Sequence, residues 1–438
     1  MNRLSFYVAL FVAKMSYLFL KLTKISSGTA IIGLLSLKIC PNFLIYVNKY
    51  IKRAKINVTG TNGKTTTSGL VAHLFQKSNK KITYNNEGAN MLNGIVNTLA
   101  VKTCPLRPVD YSIIETDEAF LSKIYDKMDS DYLLVTNLFE DQTDRFANPI
   151  FTRNLIQEAI EKKPDIQLFL NADEPISASL VSKNKAPIYY GIKEVYDENN
   201  NLIETPTQEF KCPSCGKLLN YTKSFYSQVG HYSCDCGYNR PDAKYNATVK
   251  LYKKYSEITL DNEVYEIPLV GLYNAYNALG AIVLAKELGL ENIKENIKSF
   301  KVAFGRSEKR IIKGQDTIIQ LIKNPAGTNE VLKTIDLDSN ILIAANNNIA
   351  DGTDISWINQ VDFEKLAGVN KEIIVTGLCY KEVEERLKKA GVQNIKLIPE
   401  INKAIEYLSQ TADNDITILR TYTALLKIDK IKEIKKCY

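Results

Sequence analysis

The sequence predicts an α/β protein with a central phosphate-loop domain on a parallel sheet, an inserted four-cysteine zinc ribbon and a C-terminal Rossmann-like α/β domain. Strand-like runs alternate with helix-like runs over residues 55–205 and again from residue 311, as in the βαβ units of a parallel sheet. A Gly-rich heptapeptide lies between the first of these strands and its helix. The clustered cysteines interrupt the alternation at residues 205–242.

The chain length of 438 residues favours two or three domains. We expect a helical lead-in over residues 1–50, a central domain over 51–310 that carries the insertion at 205–242, and a C-terminal domain over 311–438. The net charge of +7 suits anionic substrates or an anionic membrane surface, although a Lys-rich solvated surface explains it equally well. The sequence has no concentrated basic and aromatic stretch, so we expect no nucleic-acid partner.

The N-terminal segment is apolar from Leu4 to Ala13 and follows Arg3. Lys14 and Lys21 interrupt it before it reaches the roughly 20 residues that span a bilayer. We therefore expect an amphipathic or buried helix over residues 4–22 rather than a secretion signal or a membrane span. The protein should be cytoplasmic, with at most peripheral contact with the inner face of the membrane.

The other elements follow from apolar residues that recur with the period of a strand or a helix. Predicted strands occupy residues 56–59, 81–84, 111–115, 132–137, 167–171 and 187–190, and, in the second block, residues 317–322, 341–345, 372–376, 395–397 and 416–419. A long helix is predicted within residues 269–290, and shorter ones at 381–390 and 401–408.

The heptapeptide after the first strand has the composition of a phosphate-binding turn. It consists of Gly60, Thr61, Asn62, Gly63, Lys64, Thr65 and Thr66. Backbone N–H groups of the turn and of the following helix would face the phosphates of ATP. Lys64 would bring a positive charge to the outer phosphates, and Thr65 would offer its hydroxyl to Mg²⁺. A chance Gly/Lys/Thr turn is the alternative.

The clustered cysteines have the spacing of a zinc ribbon. The ligands would be Cys212, Cys215, Cys234 and Cys236, with 18 residues between the two pairs. A glycine follows each pair and leaves room for a tight knuckle around Zn²⁺, and four sulfur ligands indicate a structural rather than a catalytic metal. A redox pair or a disulfide is the alternative, and the nearby His231 is a minor rival ligand.

The heptapeptide departs from the general pattern G-x-x-x-x-G-K-[ST], because Val58 stands where the first glycine belongs. In this form it resembles the loop of Mur ligases and folylpolyglutamate synthases, ATP-dependent enzymes that join a carboxylate to an amine. Further segments similar to Mur ligases are N-E-G-A-N-M at 86–91, I-E-T-D-E at 114–118, V-T-N-L-F-E-D-Q at 135–142, G-L-Y-N-A-Y-N at 271–277 and G-R-S-E at 305–308. The resemblance implies a Mur ligase central ATP-binding domain.

The resemblance to Mur ligases also implies roles for further residues. Glu115 would bind Mg²⁺, and Arg306 would contact the phosphates of ATP. Asn274 and Asn277 lie three residues apart on one side of a helix and would contact adenine. The simpler alternatives are a solvated glutamate at a strand end, a surface arginine and two helix-capping amides.

The C-terminal block is similar to a narrower family, MurT, the synthetase subunits of lipid II isoglutaminyl synthase. The matching segments are K-N-P-A-G-T-N-E at 323–330, A-D-G-T-D-I-S-W at 350–357 and T-Y-T-A-L-L at 421–426. This resemblance implies ATP-dependent amidation of the D-glutamate α-carboxylate of the lipid II stem peptide to D-isoglutamine through an acyl phosphate. The ammonia would come from a GatD-type glutamine amidotransferase subunit.

Two features of the chain agree with a separate source of ammonia. The sequence holds only two histidines, His73 and His231, and no cysteine lies in a G-x-C-x-G elbow, so a Cys–His glutaminase is not expected in this chain. The resemblance implies that Asp351 completes the Cys–His pair of the partner. An ordinary aspartate in a glycine-flanked turn is the alternative.

Two rival functions stay open. The first is a partner-independent amino-acid ligase of the Mur or folylpolyglutamate type, but those Mur ligases usually carry a histidine ligand for a second metal where this chain has Gln142. The second is a non-enzymatic or nucleic-acid-dependent ATPase with a zinc ribbon. Cys379 follows T-G in the C-terminal block, and the sequence offers no explanation for it.

Overall fold

The computed structural model describes residues 3–23, 29–85, 89–140, 148–205, 209–301, 308–349, 351–429, 431 and 434–436. The chain divides into two units. The first unit comprises Met1–Leu138 and Pro149–Lys301, and the second comprises Phe139–Asn148 and Val302–Tyr438. The finer division predicted at residues 50 and 310 stays a prediction.

The first unit begins with three helices, α1 (Arg3–Thr23), α2 (Thr29–Ile39) and α3 (Phe43–Val47). The predicted helix over residues 4–22 is confirmed by α1, which buries Phe6, Ala9, Leu10 and Ala13 at helical spacing. By length and composition, α1 is apolar enough to cross a bilayer, and so, taken together, are two helices that meet at 93° across residues 30–50.

A nine-stranded sheet forms the centre of the first unit. Its first elements are β1 (Ile51–Thr59), α4 (Lys64–Lys77), β2 (Ile82–Tyr84), α5 (Leu92–Lys102), β3 (Val109–Glu115), α6 (Glu118–Tyr125), β4 (Tyr132–Val135), α7 (Pro149–Glu161), β5 (Gln167–Asn171) and β6 (Ile188–Tyr196). These strands pair in parallel in the order β6-β5-β4-β1-β3-β2. Parallel pairing places all their carboxyl ends at one edge of the sheet.

The rest of the first unit consists of a small hairpin, a three-stranded extension of the sheet and two helices. The first strand of the extension pairs with β6 in parallel, and the other two continue the sheet in antiparallel pairs. The elements are β7 (Asn220–Tyr226), β8 (Val229–Ser233), β9 (Tyr245–Leu251), β10 (Ser256–Leu260), β11 (Glu263–Ile267), α8 (Leu272–Glu287) and α9 (Ile293–Lys298). Strands β9 to β11 were not predicted from the sequence. The sequence feature that marks the hairpin of β10 and β11 is the pair Asp261 and Asn262, and both residues have positive φ (52° and 63°), as the two-residue turn between hairpin strands requires.

A buried carboxylate ties the hairpin of β7 and β8 to the sheet. Asp173 is fully buried just beyond β5, and it accepts hydrogen bonds from Arg240 Nε at 2.6 Å and from Tyr276 Oη at 2.7 Å. The backbone N–H of Ile192 donates a third at 2.6 Å. The carbonyl of Asp173 accepts from the N–H of Gly230 on β8 at 2.8 Å. Ile192, before the hairpin, and Arg240, after it, are thus both bonded to the carboxylate of Asp173.

The second unit contains a seven-stranded sheet. Its elements are β12 (Glu308–Ile312), β13 (Gln315–Leu321), α10 (Pro325–Leu332), β14 (Asn340–Ala344), β15 (Ile373–Thr376), α11 (Tyr380–Lys389), β16 (Ile395–Leu397), α12 (Ile401–Thr411), β17 (Ile416–Arg420), α13 (Tyr422–Ile428) and β18 (Ile434–Lys436). Strands β16-β15-β14-β17-β13 are parallel, whereas β12 and β18 add antiparallel pairs. The five parallel strands lie within two residues of their predicted bounds, which confirms the Rossmann-like α/β fold.

Asp173→Ala should lower the free energy of unfolding by about 3–5 kcal/mol, because it leaves the Arg240 guanidinium and the Tyr276 hydroxyl without their acceptor. Chemical unfolding followed by circular dichroism measures the change. Asp413→Ala is the control, since it removes an exposed partner of Lys371 and should leave the transition unchanged. Equal effects of the two substitutions would contradict the structural role of Asp173.

Candidate active site

The predicted phosphate-binding turn joins β1 to α4 and has room for glycine alone at two positions. Gly60 and Gly63 have φ of +125° and +83°, which disfavour any other residue. A Cβ at Gly63 would lie 2.0 Å from Asn277 Oδ1, and one at Gly60 would lie 2.3 Å from Thr136 Oγ1. The turn is therefore packed directly against α8 and the end of β4.

The residues after β4 hold the turn by its backbone. The N–H of Thr61 donates to the carbonyl of Asn137 at 2.8 Å, and the N–H of Asn62 donates to Asn137 Oδ1 at 2.9 Å. Thr136 Oγ1 donates to the carbonyl of Asn62 at 2.6 Å. This Thr-Asn pair belongs to the motif at residues 135–142, but its role in holding the turn was not predicted from the sequence.

Lys64, the first residue of α4, is buried and folds back over the turn. Its Nζ lies 2.5 Å from the carbonyl of Gly60 and 2.8 Å from Glu118 Oε1. Burial alone lowers the pKa of Lys64, but the negative charges of Glu118 and Asp117 outweigh it and the pKa is raised. The lysine is therefore a charged ammonium at the mouth of the turn.

Glu118 is a functional candidate that the sequence analysis did not assign. It is the first residue of α6 and is 4% exposed. Burial raises its pKa, against the opposing effect of Lys64. The motif I-E-T-D-E contained this second glutamate, but only the tertiary structure shows that it faces the lysine 54 positions earlier.

Glu115 ends β3 and lies opposite Val58 of β1. It is 1% exposed, so the alternative of a solvated strand-end glutamate is wrong. Oε1 accepts from Asn90 Nδ2 at 3.0 Å, whereas the buried Oε2 has no hydrogen-bond partner among the described residues. A buried carboxylate oxygen without a donor fits a hard cation such as Mg²⁺. Thr65, the second residue of α4, is also buried.

Asn274 and Asn277 lie on one face of α8, as predicted, and their side chains are linked by a hydrogen bond of 3.4 Å. Asn274 Nδ2 donates to the carbonyl of Val270 at 2.8 Å, a bond that caps none of the free N–H groups at the start of α8. Asn277 instead contacts Gly63 of the turn. Contact of either residue with adenine stays a prediction, and both Arg306 and Gln142 lie outside the described residues.

The four clustered cysteines converge as predicted. All four Sγ atoms lie within 4.8 Å of one another, with 3.7 Å from Cys212 to Cys236 and 3.6 Å from Cys215 to Cys234. Tetrahedral zinc with Zn–S bonds of about 2.3 Å requires sulfur atoms about 3.8 Å apart. The knuckle glycines Gly216 and Gly237 have φ of +75° and +90°. The donor set fits Zn²⁺.

The alternatives for the cysteine cluster fit less well. The four thiols are free cysteines, and their separations are far longer than a disulfide bond of about 2.05 Å. His231 Nε2 is hydrogen-bonded to the carbonyl of Ile192 at 2.8 Å and is not part of the cluster. Cys212 and Cys234 pack with Leu219 and Tyr232 in a small core, whereas Cys215 and Cys236 are exposed.

Asp351 lies in the second unit, in the loop after β14, and is largely buried. Thr423 holds both of its oxygens: the backbone N–H donates to Oδ1 at 2.7 Å and the hydroxyl to Oδ2 at 2.5 Å. The N–H of Asn348 donates to Oδ2 at 3.2 Å. Thr423 is the second residue of α13, so the carboxylate also benefits from the positive end of that helix.

Cys379 now has a structural explanation. It is 2% exposed at the start of α11 and belongs to a core of the second unit. Burial, with the charges of Glu382 and Asp351, raises the pKa of its thiol to about 12. A buried thiol with a raised pKa is unreactive, so Cys379 serves packing.

The comparisons with known proteins agree with this geometry. Residues 58–217 match the Mur ligase middle domain, and residues 321–425 match the MurT ligase C-terminal family. The chain is 37% identical over 342 residues to lipid II isoglutaminyl synthase (glutamine-hydrolyzing) subunit MurT of Staphylococcus aureus, covering 77% of each chain. It is 32% identical to the subunit of the same name from Streptococcus pneumoniae, covering 94% of this chain and 93% of the relative.

Solved structures show the same fold. A pseudomurein peptide ligase type C from Methanothermus fervidus superposes with a TM-score of 0.67 at 23% identity, covering 86% of this chain and 79% of the ligase. The MurF ligase from Thermotoga maritima in complex with ADP gives a TM-score of 0.63 at 12% identity, covering 91% and 83%. The predicted Mur ligase-like fold is thereby confirmed.

Metal analysis of the purified protein should find about one Zn²⁺ per chain. Cys212→Ser together with Cys215→Ser should abolish the bound zinc and lower the unfolding midpoint, because metal binding contributes folding energy. Cys379→Ala, which removes a cysteine outside the cluster, should keep the metal. A stable wild-type protein without zinc would contradict the assignment.

Lys64→Ala should abolish ATP turnover, measured as phosphate release. It should also cost about 3–5 kcal/mol of stability, because Glu118 loses its buried partner. Adding Glu118→Gln removes the unpaired, buried carboxylate and should restore the stability but not the turnover of ATP. Near-normal turnover in either variant would show that the turn does not bind ATP.

Proposed function

The chain belongs to the MurT family of lipid II isoglutaminyl synthase subunits, and we propose that the turn of residues 60–66 is where it activates the substrate carboxylate with ATP. The protein is an ATP-dependent carbon–nitrogen ligase of peptidoglycan synthesis. It amidates the D-glutamate α-carboxylate of the lipid II stem peptide to D-isoglutamine. The observation that supports the proposed site is the buried ammonium of Lys64 beside the glycine turn, together with an oxygen of Glu115 on the neighbouring strand that no described residue pairs.

The reaction has two steps. An oxygen of the D-glutamate α-carboxylate attacks the γ-phosphorus of ATP, the bond to the β-phosphate bridging oxygen breaks, and ADP leaves. Ammonia then attacks the carbonyl carbon of the resulting acyl phosphate, the C–O bond breaks, and phosphate leaves with the electron pair. Loss of a proton from nitrogen gives the amide.

Residues of the turn serve the first step by binding anions. The N–H groups at the start of α4 point toward the phosphates, and the helix dipole favours their charge. Lys64 stabilises the charge on the transferring phosphoryl group. In the structure the Lys64 ammonium donates hydrogen bonds to Glu118 and to the Gly60 carbonyl. ATP binding would replace these hydrogen bonds by contacts with phosphate oxygens. Asn274, Asn277 and Arg306 are proposed to complete the nucleotide site.

Thr65 and Glu115 are the proposed ligands of Mg²⁺. Mg²⁺ held there would neutralise part of the charge on the phosphates of ATP. The four cysteines are the proposed ligands of a structural Zn²⁺, which would hold the hairpin of β7 and β8 in place. Gln228 between these strands donates to the carbonyl of Leu138 at 2.8 Å, one residue after the asparagine that holds the turn.

The ammonia is proposed to come from a GatD-type glutamine amidotransferase subunit. The names of both relatives contain the words glutamine-hydrolyzing and subunit, and a subunit implies a complex. Each of the two histidines of this chain contacts a backbone carbonyl through Nε2. His73 Nε2 lies 2.9 Å from the carbonyl of Asn296, and His231 Nε2 is hydrogen-bonded to the carbonyl of Ile192. Neither is available as the base of a cysteine nucleophile.

Asp351 is proposed to orient the catalytic histidine of that partner. Its carboxylate accepts three hydrogen bonds from described residues, and a carboxylate has about four acceptor positions. With these residues counted, one position is left for an imidazole N–H. Thr423 fixes the direction of that position by holding both oxygens. We place the complex in the cytoplasm at the inner face of the membrane, where a lipid-linked substrate is reached.

Asp351→Asn should reduce glutamine-dependent amidation of lipid II by roughly 10³-fold, because the amide keeps the shape but removes the charge that stabilises an imidazolium. Amidation with free ammonium at high pH should persist. Mass spectrometry of the stem peptide measures both rates in the complex with the glutaminase.

Asp354→Asn, in the same segment, is the matched control and should leave both rates unchanged. If the two rates of Asp351→Asn fall together, the residue serves carboxylate activation instead. If neither rate falls, Asp351 has only a structural role, in its turn and in the hydrogen bonds from Thr423.

A further inference from the structure

Helix α1 carries an apolar stripe on the side that faces away from the protein. Its members are Leu4, Tyr7, Val8, Phe11, Met15, Leu18, Phe19 and Leu22, which are 43–74% exposed. At 3.6 residues per turn these positions fall within a sector of about 120°. The buried residues Phe6, Ala9, Leu10 and Ala13 lie on the opposite side. The helix is thus apolar on two faces, and the described part of the protein covers only one of them.

Cations line one edge of this stripe. Arg3, Lys14 and Lys21 are separated by 11 and 7 residues, spacings close to whole numbers of helical turns, so they share one side of α1. The first acidic residue of the chain is Glu87, and the preceding 86 residues contain 13 lysines and arginines. The cationic edge therefore has no neighbouring carboxylate in sequence to neutralise it.

The neighbouring helix repeats the arrangement. α2 packs against α1, and it exposes Ile31, Leu34 and Leu35, with Lys38 one turn further along. These four positions follow the i, i+3, i+4, i+7 spacing of a single helical face. Two packed helices thus each present an apolar face bordered by positive charge.

We propose that the exposed faces of α1 and α2, together the docking surface, bind an anionic phospholipid membrane with the helices lying in the plane of the interface. An apolar stripe flanked by lysine and arginine is the pattern of interfacial helices, which insert apolar side chains among the acyl chains and place cations at anionic headgroups. The proposal rests on the proposed function for its purpose, since docking brings the enzyme to a lipid-linked substrate.

The structure argues against two other occupants of the docking surface. A membrane-spanning α1 would have to withdraw the buried face, including the ring of Phe6, which lies 5.2 Å from that of Phe43 and 5.8 Å from that of Tyr50. A symmetric dimer through the same surface would bring two acid-free cationic edges together, and their repulsion would oppose association.

Sedimentation with lipid vesicles tests the proposal on the full chain in complex with its glutaminase partner. The complex should bind vesicles of phosphatidylglycerol and should bind phosphatidylcholine at least tenfold more weakly, and high salt should release it. Phe11→Gln with Leu22→Gln should weaken binding at least tenfold, because both side chains are highly exposed and would enter the membrane. The matched control is Leu106→Gln with Val181→Gln, two side chains 93% and 54% exposed outside α1 and α2, which should bind like the wild type.

Absence of vesicle binding by the wild type, or equal binding by both double variants, would overturn the proposal. Binding that resists high salt and alkaline carbonate would overturn it in favour of a membrane-spanning α1. A change in mass by light scattering for Phe11→Gln with Leu22→Gln, without any vesicle binding, would assign the surface to a protein partner. Vesicle binding needs no catalysis, so amidation of lipid II in detergent, assayed in parallel, separates failure of the docking surface from failure of the proposed function.

Discussion

The fit of the glycine turn between α8 and the end of β4 is the constraint on which the site depends. Gly63 approaches Asn277 so closely that a Cβ would lie 2.0 Å from its Oδ1. The backbone of Thr61 and Asn62 is bonded to Asn137. Three segments far apart in the chain therefore determine where α4 begins and where its first N–H groups point. These contacts fix the backbone of the turn without a bound phosphate, as the proposed stabilisation of a transferring phosphoryl group requires.

Buried charge is concentrated at the carboxyl edge of the first sheet, and most of it is paired. Lys64 forms an ion pair with Glu118, and Asp173 forms one with Arg240. Such pairs are costly to break but contribute little net stability, so their value lies in fixing side chains at defined positions. Glu115 differs from them, since its buried Oε2 has no described partner. The unsatisfied oxygen is where a cation is expected, and the paired charges around it keep the strand ends in place.

The chemistry of the family is divided among separate parts of the chain. The first unit holds the phosphate turn and the cysteine ribbon, whereas Asp351 and Thr423 lie in the second unit at the ends of β14 and β17. Ligands of open α/β sheets commonly lie at such strand ends, and in this chain the residues proposed to function lie after strand ends of both sheets. The N-terminal helices add a surface whose chemistry suits a membrane.

Local patterns in the sequence were sufficient for the parallel sheets, the turn and the cysteine ribbon. Each of these depends on residues that are near in sequence or have a characteristic spacing: glycines that permit a left-handed turn, thiols spaced for one metal, and apolar runs that form buried strands. The bounds of β5 and β16 were predicted without error. The strands β9 to β11 were missed although β9 alternates apolar and polar residues and the turn at Asp261 and Asn262 marks the hairpin of β10 and β11. They follow the cysteine insertion, where the regular succession of strand and helix is interrupted.

Tertiary structure alone decided which distant side chains meet. Glu118 faces Lys64 because α6 and α4 begin at the same edge of the sheet. Thr423 donates hydrogen bonds to Asp351 because β14 and β17 are neighbours in the sheet. In the chain, 71 positions separate Thr423 from Gly352, the residue after Asp351. The sequence of α1 is apolar on both sides, so its pattern left open whether the helix is buried or amphipathic. Packing against Phe43 and Tyr50 selected one face for the core and left the other exposed. Such choices depend on the complementary surfaces of the folded chain, which no local pattern contains.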